Sequence, residues 1–251
     1  MATPIIYFFT DFSNQGPYLG QMESVLLEIE PSLRVVNLMS DAPFADPRAS
    51  AYLLAALARY VPDNAIIVAV VDPGVGSKRK ALCMNIGNRW LLGPDNGLLS
   101  IVAKDAGNSA LYEIDTPAPG SVSASFHGRD LFAPAAGAIA CGQMPTGPVM
   151  PIDQMVGATW GTNLNEIIYI DGFGNAMTGI LAASVENVTG LEIGEARIPR
   201  AITFSSVAVG ECFFYENSIG LIEIAVNRGH AAMLLELQVG ESIRIPGMNL
   251  C

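Results

Sequence analysis

The segment that most constrains the fold of this chain is residues 65–71, which read Ala-Ile-Ile-Val-Ala-Val-Val. A strand made of these residues is apolar on both faces. Such strands are typical of parallel sheets that helices cover on both sides. The segment is also far shorter than the ~20 apolar residues that a membrane-spanning helix needs. We therefore expect a buried central strand in an α/β fold.

The neighbouring segments alternate between strand and helix patterns. Residues 5–9 and 34–38 are short and apolar, as strands are, and a helical stripe of leucine and methionine lies between them. Residues 47–60 begin with proline, which favours the first turn of a helix. This order predicts a mixed or parallel sheet flanked by helices. We place the α/β domain in residues 1–160.

The composition changes in the second part of the chain. Residues 141–161 are rich in glycine, proline and methionine, which is typical of a linker, and we include this linker up to residue 160 in the first domain. Short strand-like segments then recur between turn residues, at 166–170, 197–204, 212–215, 221–226 and 242–246. This spacing predicts a small all-β barrel or sandwich. We assign residues 161–251 to this second domain.

Charge and cysteine content narrow the range of partners and locations. The chain has 13 basic and 24 acidic residues and a formal net charge of −11. This excess of negative charge disfavours binding to nucleic acid and is compatible with a small cationic ligand. The four cysteines form no C-x-x-C pair, and the first residues lack the basic and apolar regions of a signal peptide. We therefore expect a cytoplasmic protein with no membrane partner.

Polar clusters follow three of the predicted strands, where α/β sheets bind ligands. Thr10 and Asp11 follow the first strand, a glycine-rich segment from Asp72 to Arg79 follows the central strand, and residues 93–97 follow the strand at 90–92. The glycine-rich segment has neither the P-loop spacing nor the third glycine of the dinucleotide-binding motif. Both nucleotide-binding interpretations therefore fail. The loop could bring the Asp72 carboxylate beside the Arg79 guanidinium, although a loop-capping Asp72 with Arg79 at the surface is the more common arrangement.

His127 is one of only two histidines in the chain, the other being His230. Two dispersed histidines are a poor basis for a zinc or iron site, and no G-x-S-x-G motif indicates a serine hydrolase. A single histidine is more often structural than catalytic. Residues 171–175 read Asp-Gly-Phe-Gly-Asn, the composition of an ordinary hairpin turn. From these residues alone we expect a soluble α/β enzyme with a small ligand.

Six segments match one known family in their order along the chain. They are TDF at 10–12 with GPYLG at 16–20, VDPGVGS at 71–77, GPDNGLL at 93–99, FHGRD at 126–130, DGFGN at 171–175 and NSIG at 217–220. Together they resemble the S-adenosyl-L-methionine (SAM) hydroxide adenosyltransferases, the water-using relatives of the SAM-dependent fluorinase and chlorinase. The resemblance spans residues 5–246. It implies hydrolysis of SAM to adenosine and L-methionine by attack of activated water at C5′.

The resemblance also implies an architecture and partners. We expect an N-terminal α/β domain, with a central mixed or parallel sheet flanked by helices, and a smaller C-terminal all-β barrel. The family implies a homotrimer in which SAM lies at subunit interfaces, between the N-terminal domain of one chain and the C-terminal domain of its neighbour. No cofactor and no metal ion are expected, because SAM is the substrate.

The resemblance assigns catalysis to Asp72, Arg79 and His127. Arg79 would hold Asp72 and stabilise the developing hydroxide, since a guanidinium does not act as a base. Either Asp72 or His127 would take the proton of the water. A carboxylate at position 72 favours water over halide, as does Val75, which stands where the fluorinases have threonine. Two alternatives are a halide-using, chlorinase-like SAM adenosyltransferase and a non-catalytic sensor of SAM or adenosine.

Substrate contacts at the ribose and at the methionine end also follow from the resemblance. Asp11 and Asp171 would bind the ribose hydroxyls or the methionine amine. Ser218 and Glu223 lie in the segment that completes the methionine and adenine ends of the site. Ile219 departs from the arginine that fluorinases carry at this position, which leaves the contacts of the methionine carboxylate open.

The adenine end is assigned to aromatic and amide groups. Asn175, Phe204 and the main chain near Val226 would frame the base. Phe44 lies where the halogenating relatives have an aromatic residue beside the ligand. The physiological role stays open, as does the choice among SAM itself, an analogue and a damaged SAM as the true substrate.

Overall fold

The computed structural model describes residues 4–104, 109–115 and 122–247. Contacts between residues divide the chain into two compact units, Met1–Trp160 and Gly161–Cys251. We call them the N-terminal unit and the C-terminal unit. Among the described residues, no helix is both long enough and apolar enough to cross a lipid bilayer.

Within the described residues, the N-terminal unit contains a seven-stranded mixed sheet. Its strands are β1 (Ile5–Thr10), β2 (Arg34–Met39), β3 (Ile66–Val70), β4 (Ala81–Ile86), β5 (Arg89–Pro94), β6 (Ser109–Glu113) and β7 (Val149–Met150). Their order across the sheet is β2-β1-β3-β5-β4-β6-β7. Strands β1, β2, β3 and β5 run parallel, whereas β4, β6 and β7 run antiparallel to their neighbours. The prediction of a mixed α/β sheet is confirmed.

The helices of this unit pack in two pairs, α1 with α4 and α2 with α3. They are α1 (Tyr18–Ile29), α2 (Pro47–Ala58), α3 (Ser100–Lys104) and α4 (Ala133–Ala140), and a π-helical turn (Gly128–Phe132) leads into α4. As predicted, α2 begins at its proline. The Asp46 side chain caps it by accepting a hydrogen bond from the Ala49 N–H at 3.0 Å.

Strand β3 is the buried central strand that the apolar run predicted. Val68 lies in a hydrophobic core with Met22 of α1 and Ala136 of α4. Ile67 points to the opposite face, because successive side chains of a strand alternate, and it is 0% exposed. Both faces of this strand are therefore removed from water.

The strand order creates a switch point beside β3. The chain leaves β1 through α1 to reach β2 on one side, and then returns through α2 to reach β3 on the other side. Open α/β sheets bind ligands at the carboxyl ends of the strands at such a point. Thr10 of β1 is paired with Val70 of β3. Asp11 and Asp72 therefore follow two neighbouring strands at the expected binding edge.

The C-terminal unit is built mainly from antiparallel strands. They are β8 (Leu164–Ile170), β9 (Ala176–Leu181), β10 (Gly190–Ile193), β11 (Ala196–Pro199), β12 (Cys212–Glu216) and β13 (Leu221–Val226). Within the described part of the chain, β12-β13-β9-β8 form one sheet and β10-β11 another. The prediction of strand-rich structure is confirmed. The strand pattern did not predict the short helix α5 (Ala231–Leu234) that follows β13.

Backbone bridges outside the named strands connect the two sheets of the C-terminal unit. They join Glu166 to Ser242, Glu192 to Arg244, and Arg200 to Phe214. The apolar side chains of both sheets also share one core, which contains residues of β8 to β13 such as Leu191 and Ile224. The predicted strand at 197–204 is shorter than expected, since β11 ends at a proline and Phe204 begins a 3-10 turn.

Candidate active site

Asp11 lies at the carboxyl end of β1 and faces the loop that precedes α2. Its Oδ2 accepts a hydrogen bond from the Ala45 N–H at 3.0 Å. Burial raises the pKa of the Asp11 carboxyl above its usual value, and the nearby negative charge of Asp72 adds to the increase. The Asp11 carboxylate is therefore held against the loop that precedes α2 by a backbone contact.

The segment after β3 folds back on itself and brings Arg79 to Asp72. The Val75 N–H donates to the Asp72 carbonyl at 3.2 Å. Gly76 has a φ of +80°, and a Cβ at this position would lie 2.4 Å from the Ala124 carbonyl oxygen. Only glycine fits such a close approach with this backbone conformation. Glycine at position 76 therefore allows the loop to fold back toward Asp72.

Asp72 and Arg79 form a buried ion pair. The Arg79 Nε donates to Asp72 Oδ1 at 2.8 Å and to Oδ2 at 2.9 Å, and Arg79 Nη2 donates to Oδ2 as well. The Asp72 side chain is 4% exposed and that of Arg79 is 9% exposed. The more common arrangement expected from spacing, with Arg79 at the surface, is therefore wrong. Burial of one charge requires the other, because an unpaired buried charge is strongly unfavourable.

Arg79 also contacts His127, which joins the imidazole to the ion pair. The distance from Arg79 Nη2 to His127 Nδ1 is 3.0 Å. A guanidinium has only donors, so Nδ1 accepts this hydrogen bond and the neutral ring carries its proton on Nε2. Burial lowers the pKa of His127 below its usual 6.5, the positive charge of Arg79 lowers it further, and Asp72 and Asp130 oppose the shift. His127 is therefore neutral at pH 7.

The π-helical turn begins directly after His127. A Cβ at Gly128 would lie 3.1 Å from both the Met22 sulfur and the Phe126 ring, so the turn packs tightly against its surroundings. Asp130 turns away from the group, since its Oδ2 accepts from Arg129 Nη2 at 3.0 Å and from the Ser123 N–H at 2.7 Å. Turns of this kind are frequent at functional sites.

A cavity of about 150 Å³ borders Asp72 and His127. It is lined by Phe12, Tyr18, Val70, Asp72, Val75, Ser125, Phe126, His127 and Gly128. Three aromatic rings of this lining pack against each other, with centroid distances between 5.3 and 5.9 Å. The cavity has room for a few water molecules, each of which occupies ≈ 30 Å³ in the liquid. It therefore combines an apolar wall with a carboxylate and an imidazole.

In the C-terminal unit, the turn after β8 organises Asp171 and Asn175. Asp171 Oδ1 accepts from the N–H groups of Phe173 and Asn175, each at 2.9 Å, and Oδ2 accepts from Asn175 Nδ2 at 3.1 Å. Phe173, at the tip of this turn, is 80% exposed. Sequence reasoning did not select Phe173, although a large aromatic residue between two glycines of a turn was a visible signal.

Glu223 uses its carboxylate inside the C-terminal unit. Glu223 is 3% exposed. Its carboxylate accepts hydrogen bonds from the Tyr215 hydroxyl at 2.5 Å and from Asn217 Nδ2 at 2.9 Å. Burial and the hydrogen bond to Glu223 raise the pKa of Tyr215 well above its usual value. The ring of Tyr215 packs 5.5 Å from that of Phe204. Glu223 is thus linked to Phe204 through Tyr215, a residue that sequence reasoning did not select.

The remaining candidates occupy simpler positions. Phe44 is 87% exposed in the loop before α2. Ser218 is exposed between β12 and β13. Val226 ends β13, is buried, and its carbonyl accepts the Gly229 N–H at 3.1 Å. Across residues 4–104, 109–115 and 122–247, no three His, Cys, Asp or Glu side chains gather as the ligands of a metal ion.

Comparison with known proteins relates both units to one family. Residues 6–147 match the SAM hydroxide adenosyltransferase N-terminal domain, and residues 165–244 match the C-terminal domain of the same family. The (R)-S-adenosyl-L-methionine hydrolase of Thermus thermophilus is 37% identical, over 96% of this chain and 98% of that protein. A fluorinase of Actinopolyspora mzabensis is 22% identical over 97% of both chains.

The fold has a close structural counterpart. A crystal structure of an uncharacterized conserved protein from Thermotoga maritima matches with a TM-score of 0.85 and 28% identity, over 96% of this chain and 99% of the other. Both domain matches together cover most of the sequence, and the similarity to the Thermus hydrolase extends over nearly all of it. This chain belongs to the SAM hydroxide adenosyltransferase family.

Proposed function

We propose that this protein hydrolyses SAM to adenosine and L-methionine. The observation that carries the proposal is the buried Asp72–Arg79 pair, which holds a neutral His127 beside a small cavity. Relatives that are 34–37% identical over nearly the full chain are named (R)-S-adenosyl-L-methionine hydrolases. The fluorinases are more distant, at 21–22% identity.

The reaction needs an oriented water molecule more than it needs an acid. Water attacks C5′ of the ribose in line with the C5′–S bond, and the electrons of that bond pass to the sulfur. Methionine leaves as a neutral thioether, so no group has to protonate the leaving group. The water must lose one proton as the C5′–O bond forms, which requires a positioned acceptor.

We assign the role of acceptor to Asp72. Arg79 cannot accept a proton, and the accepting nitrogen of His127 is occupied by Arg79 Nη2. A carboxylate has about four lone-pair positions, and Arg79 fills three of those on Asp72. Neutral His127 keeps Arg79 in place, and the guanidinium stabilises the negative charge that develops on the water oxygen.

The same residues support water as the nucleophile rather than a halide. The Asp72 carboxylate borders the cavity and repels anions, whereas it accepts a hydrogen bond from water. The side chain of Val75 also lines the cavity and has no hydroxyl to offer to a halide. This arrangement disfavours the chlorinase-like alternative.

The substrate itself is a cation that suits an acidic site. We propose that Asp11 and Asp171 bind the ribose hydroxyls or the methionine amine, and that Asn175 binds the adenine edge. Exposed Phe173 offers an aromatic face for the base, a contact that is worth about 1–3 kcal/mol in other proteins. We propose that Phe44, Phe204, Ser218 and the main chain at Val226 also contact the substrate, and that buried Glu223 acts by holding Tyr215 beside Phe204.

We further propose a homotrimer with its sites at subunit interfaces, acting in the cytoplasm without a metal or other cofactor. The family resemblance supports the trimer. The bridges at 166–242, 192–244 and 200–214 link the strands of the C-terminal unit in a closed order, which supports the expected barrel. The four scattered cysteines support a reducing compartment.

The direct test is an assay of products. We expect purified protein to form adenosine and methionine from SAM in halide-free buffer, in the presence of EDTA, and equally with added chloride. We also expect faster turnover of the (R)-sulfonium diastereomer than of the (S) form, following the names of the relatives. A 5′-chloro product would establish the halide-using alternative, and tight SAM binding without turnover would establish the sensor.

Asp72→Asn tests the proton acceptor. The amide keeps the shape of the side chain and an oxygen that accepts from Arg79, but it has no negative charge and cannot take the proton. We therefore expect a lower melting temperature and a fall in kcat of about 10²–10⁴-fold, the usual contribution of a general base. Affinity for adenosine, measured by calorimetry, should stay near the wild-type value. Asp63→Asn is the control for removing an Asp–Arg pair away from the cavity, because Asp63 pairs with Arg89 and its side chain is 92% exposed. Unchanged turnover in Asp72→Asn would contradict the assignment.

The pH profile tests His127. Because its pKa is lowered, the ring stays neutral as pH falls to its usual value of 6.5, and it becomes protonated only at lower pH. Protonation removes the acceptor for Arg79 and places two cations together. We therefore expect kcat/KM to be constant from pH 8 to about 6.5 and to decline below it. In His127→Gln, this acid limb should disappear, and an identical limb in the variant would exclude His127.

The oligomeric state is tested by light scattering after size-exclusion chromatography. We expect a mass three times that of the 26.5 kDa chain. A monomeric mass with full hydrolase activity would exclude the shared sites, and a dimeric mass would exclude the trimer.

A further inference from the structure

His230 lies next to the turn that presents Asp171 and Asn175, and the proposed reaction has not used it. It is the residue directly before α5, and its Nδ1 accepts a hydrogen bond from the Met233 N–H at 3.1 Å. This contact caps the first turn of the helix, as the side chains of good N-cap residues do. The conformation of α5 therefore depends on the His230 side chain.

Helix α5 in turn is bonded to the turn at Gly174. The Ala232 N–H donates to the Gly174 carbonyl at 2.9 Å. Gly174 has a φ of +82°, and a Cβ at this position would lie 2.1–2.3 Å from atoms of the His230 ring. The ring and the glycine are thus in direct contact, and no other residue type fits beneath the ring. His230 supports the turn both through its ring and through the helix that it caps.

The turn itself carries the two groups that the proposed function needs from this unit. The Gly174 N–H donates to the Asp171 carbonyl at 2.9 Å, and the Asp171 N–H donates to the Asn175 carbonyl at 3.0 Å. A displacement of Gly174 therefore moves both Asp171 and Asn175. Contacts that orient a substrate lose their value when the groups shift by about 1 Å.

We infer that His230 is a positioning residue for substrate binding, which holds the Asp171–Asn175 turn through Gly174. This inference rests on the proposed function, because the turn matters to catalysis only if it binds the substrate. His230 belongs to the C-terminal unit, whereas Asp72 and its cavity belong to the N-terminal unit. We therefore expect the loss of His230 to weaken binding and to leave the attack on C5′ unchanged.

The test measures KM and kcat separately in variants of His230. For His230→Ala we expect KM for SAM to rise about five- to tenfold, the size of effect that a lost N-cap has, with kcat within about twofold. His230→Asn restores an N-cap acceptor and should recover most of the affinity. Met233→Ala is the control, since it keeps the N–H that donates to His230 and removes only a side chain that is 75% exposed.

A double-mutant cycle isolates the contact between ring and glycine. Gly174→Ala should raise KM strongly in the wild-type background and less strongly in the His230→Ala background, because the clash with the ring is then absent. If the factors by which Gly174→Ala and His230→Ala raise KM simply multiply in the double variant, the inference is overturned. So would an unchanged KM in His230→Ala, whether or not its melting temperature falls.

A second measurement separates this inference from the proposed function. Adenosine affinity, measured by calorimetry, should weaken in His230→Ala by the same factor as KM. If the wild-type protein forms no adenosine from either diastereomer of SAM, the proposed function fails. The adenosine titration then still decides whether His230 supports a binding turn.

Discussion

Two opposite charges, withdrawn from water at the end of β3, hold the candidate site together. Each of these charges is costly to bury alone, and their attraction offsets that cost only when the hydrogen bonds are well formed. Arg79 makes further contacts besides those with Asp72. Its Nη1 donates a hydrogen bond to the Lys80 carbonyl at 3.2 Å, and its guanidinium carbon lies 5.7 Å from the Phe132 ring centroid. With so many contacts, the Arg79 side chain has one orientation, and this orientation places Nη2 at His127.

The same charges set the protonation states around the cavity. Burial lowers the pKa of His127 and the positive charge of Arg79 lowers it further, and the negative charge of Asp72 adds to the burial that raises the pKa of Asp11. A site with carboxylates at two neighbouring strand ends attracts a sulfonium cation and repels halide anions. In the proposed function, one arrangement of charge therefore accounts for both the choice of nucleophile and the attraction of the substrate.

The C-terminal unit uses its carboxylates differently. Asp171 and Glu223 accept hydrogen bonds from groups close to them in sequence, and in this way they shape turns. The Asn217 side chain, oriented by Glu223, accepts the N–H groups of Ile219 and Leu221 and so defines the bend between β12 and β13. These residues stiffen the backbone, so that nearby exposed groups such as Phe173 are presented in a defined way.

Local patterns in the sequence predicted much of this molecule. The apolar run at 65–71 became the buried strand β3, the proline at position 47 began a helix, and the order of motifs identified the family. The helix α5 was not predicted, because it is only four residues long and depends on a cap by His230. The burial of Arg79 was likewise not visible from spacing, since loops of that composition more often leave the arginine in water.

The types and order of residues by themselves determined the mixed sheet, the polar loop at its carboxyl edge and the membership of the family. Only the tertiary structure decided that Arg79 is buried against Asp72 and that His127, 48 residues further along the chain, accepts a hydrogen bond from it. Strand and helix patterns depend on neighbours a few positions apart, whereas a hydrogen bond between distant segments depends on how the sheet and its loops pack in space.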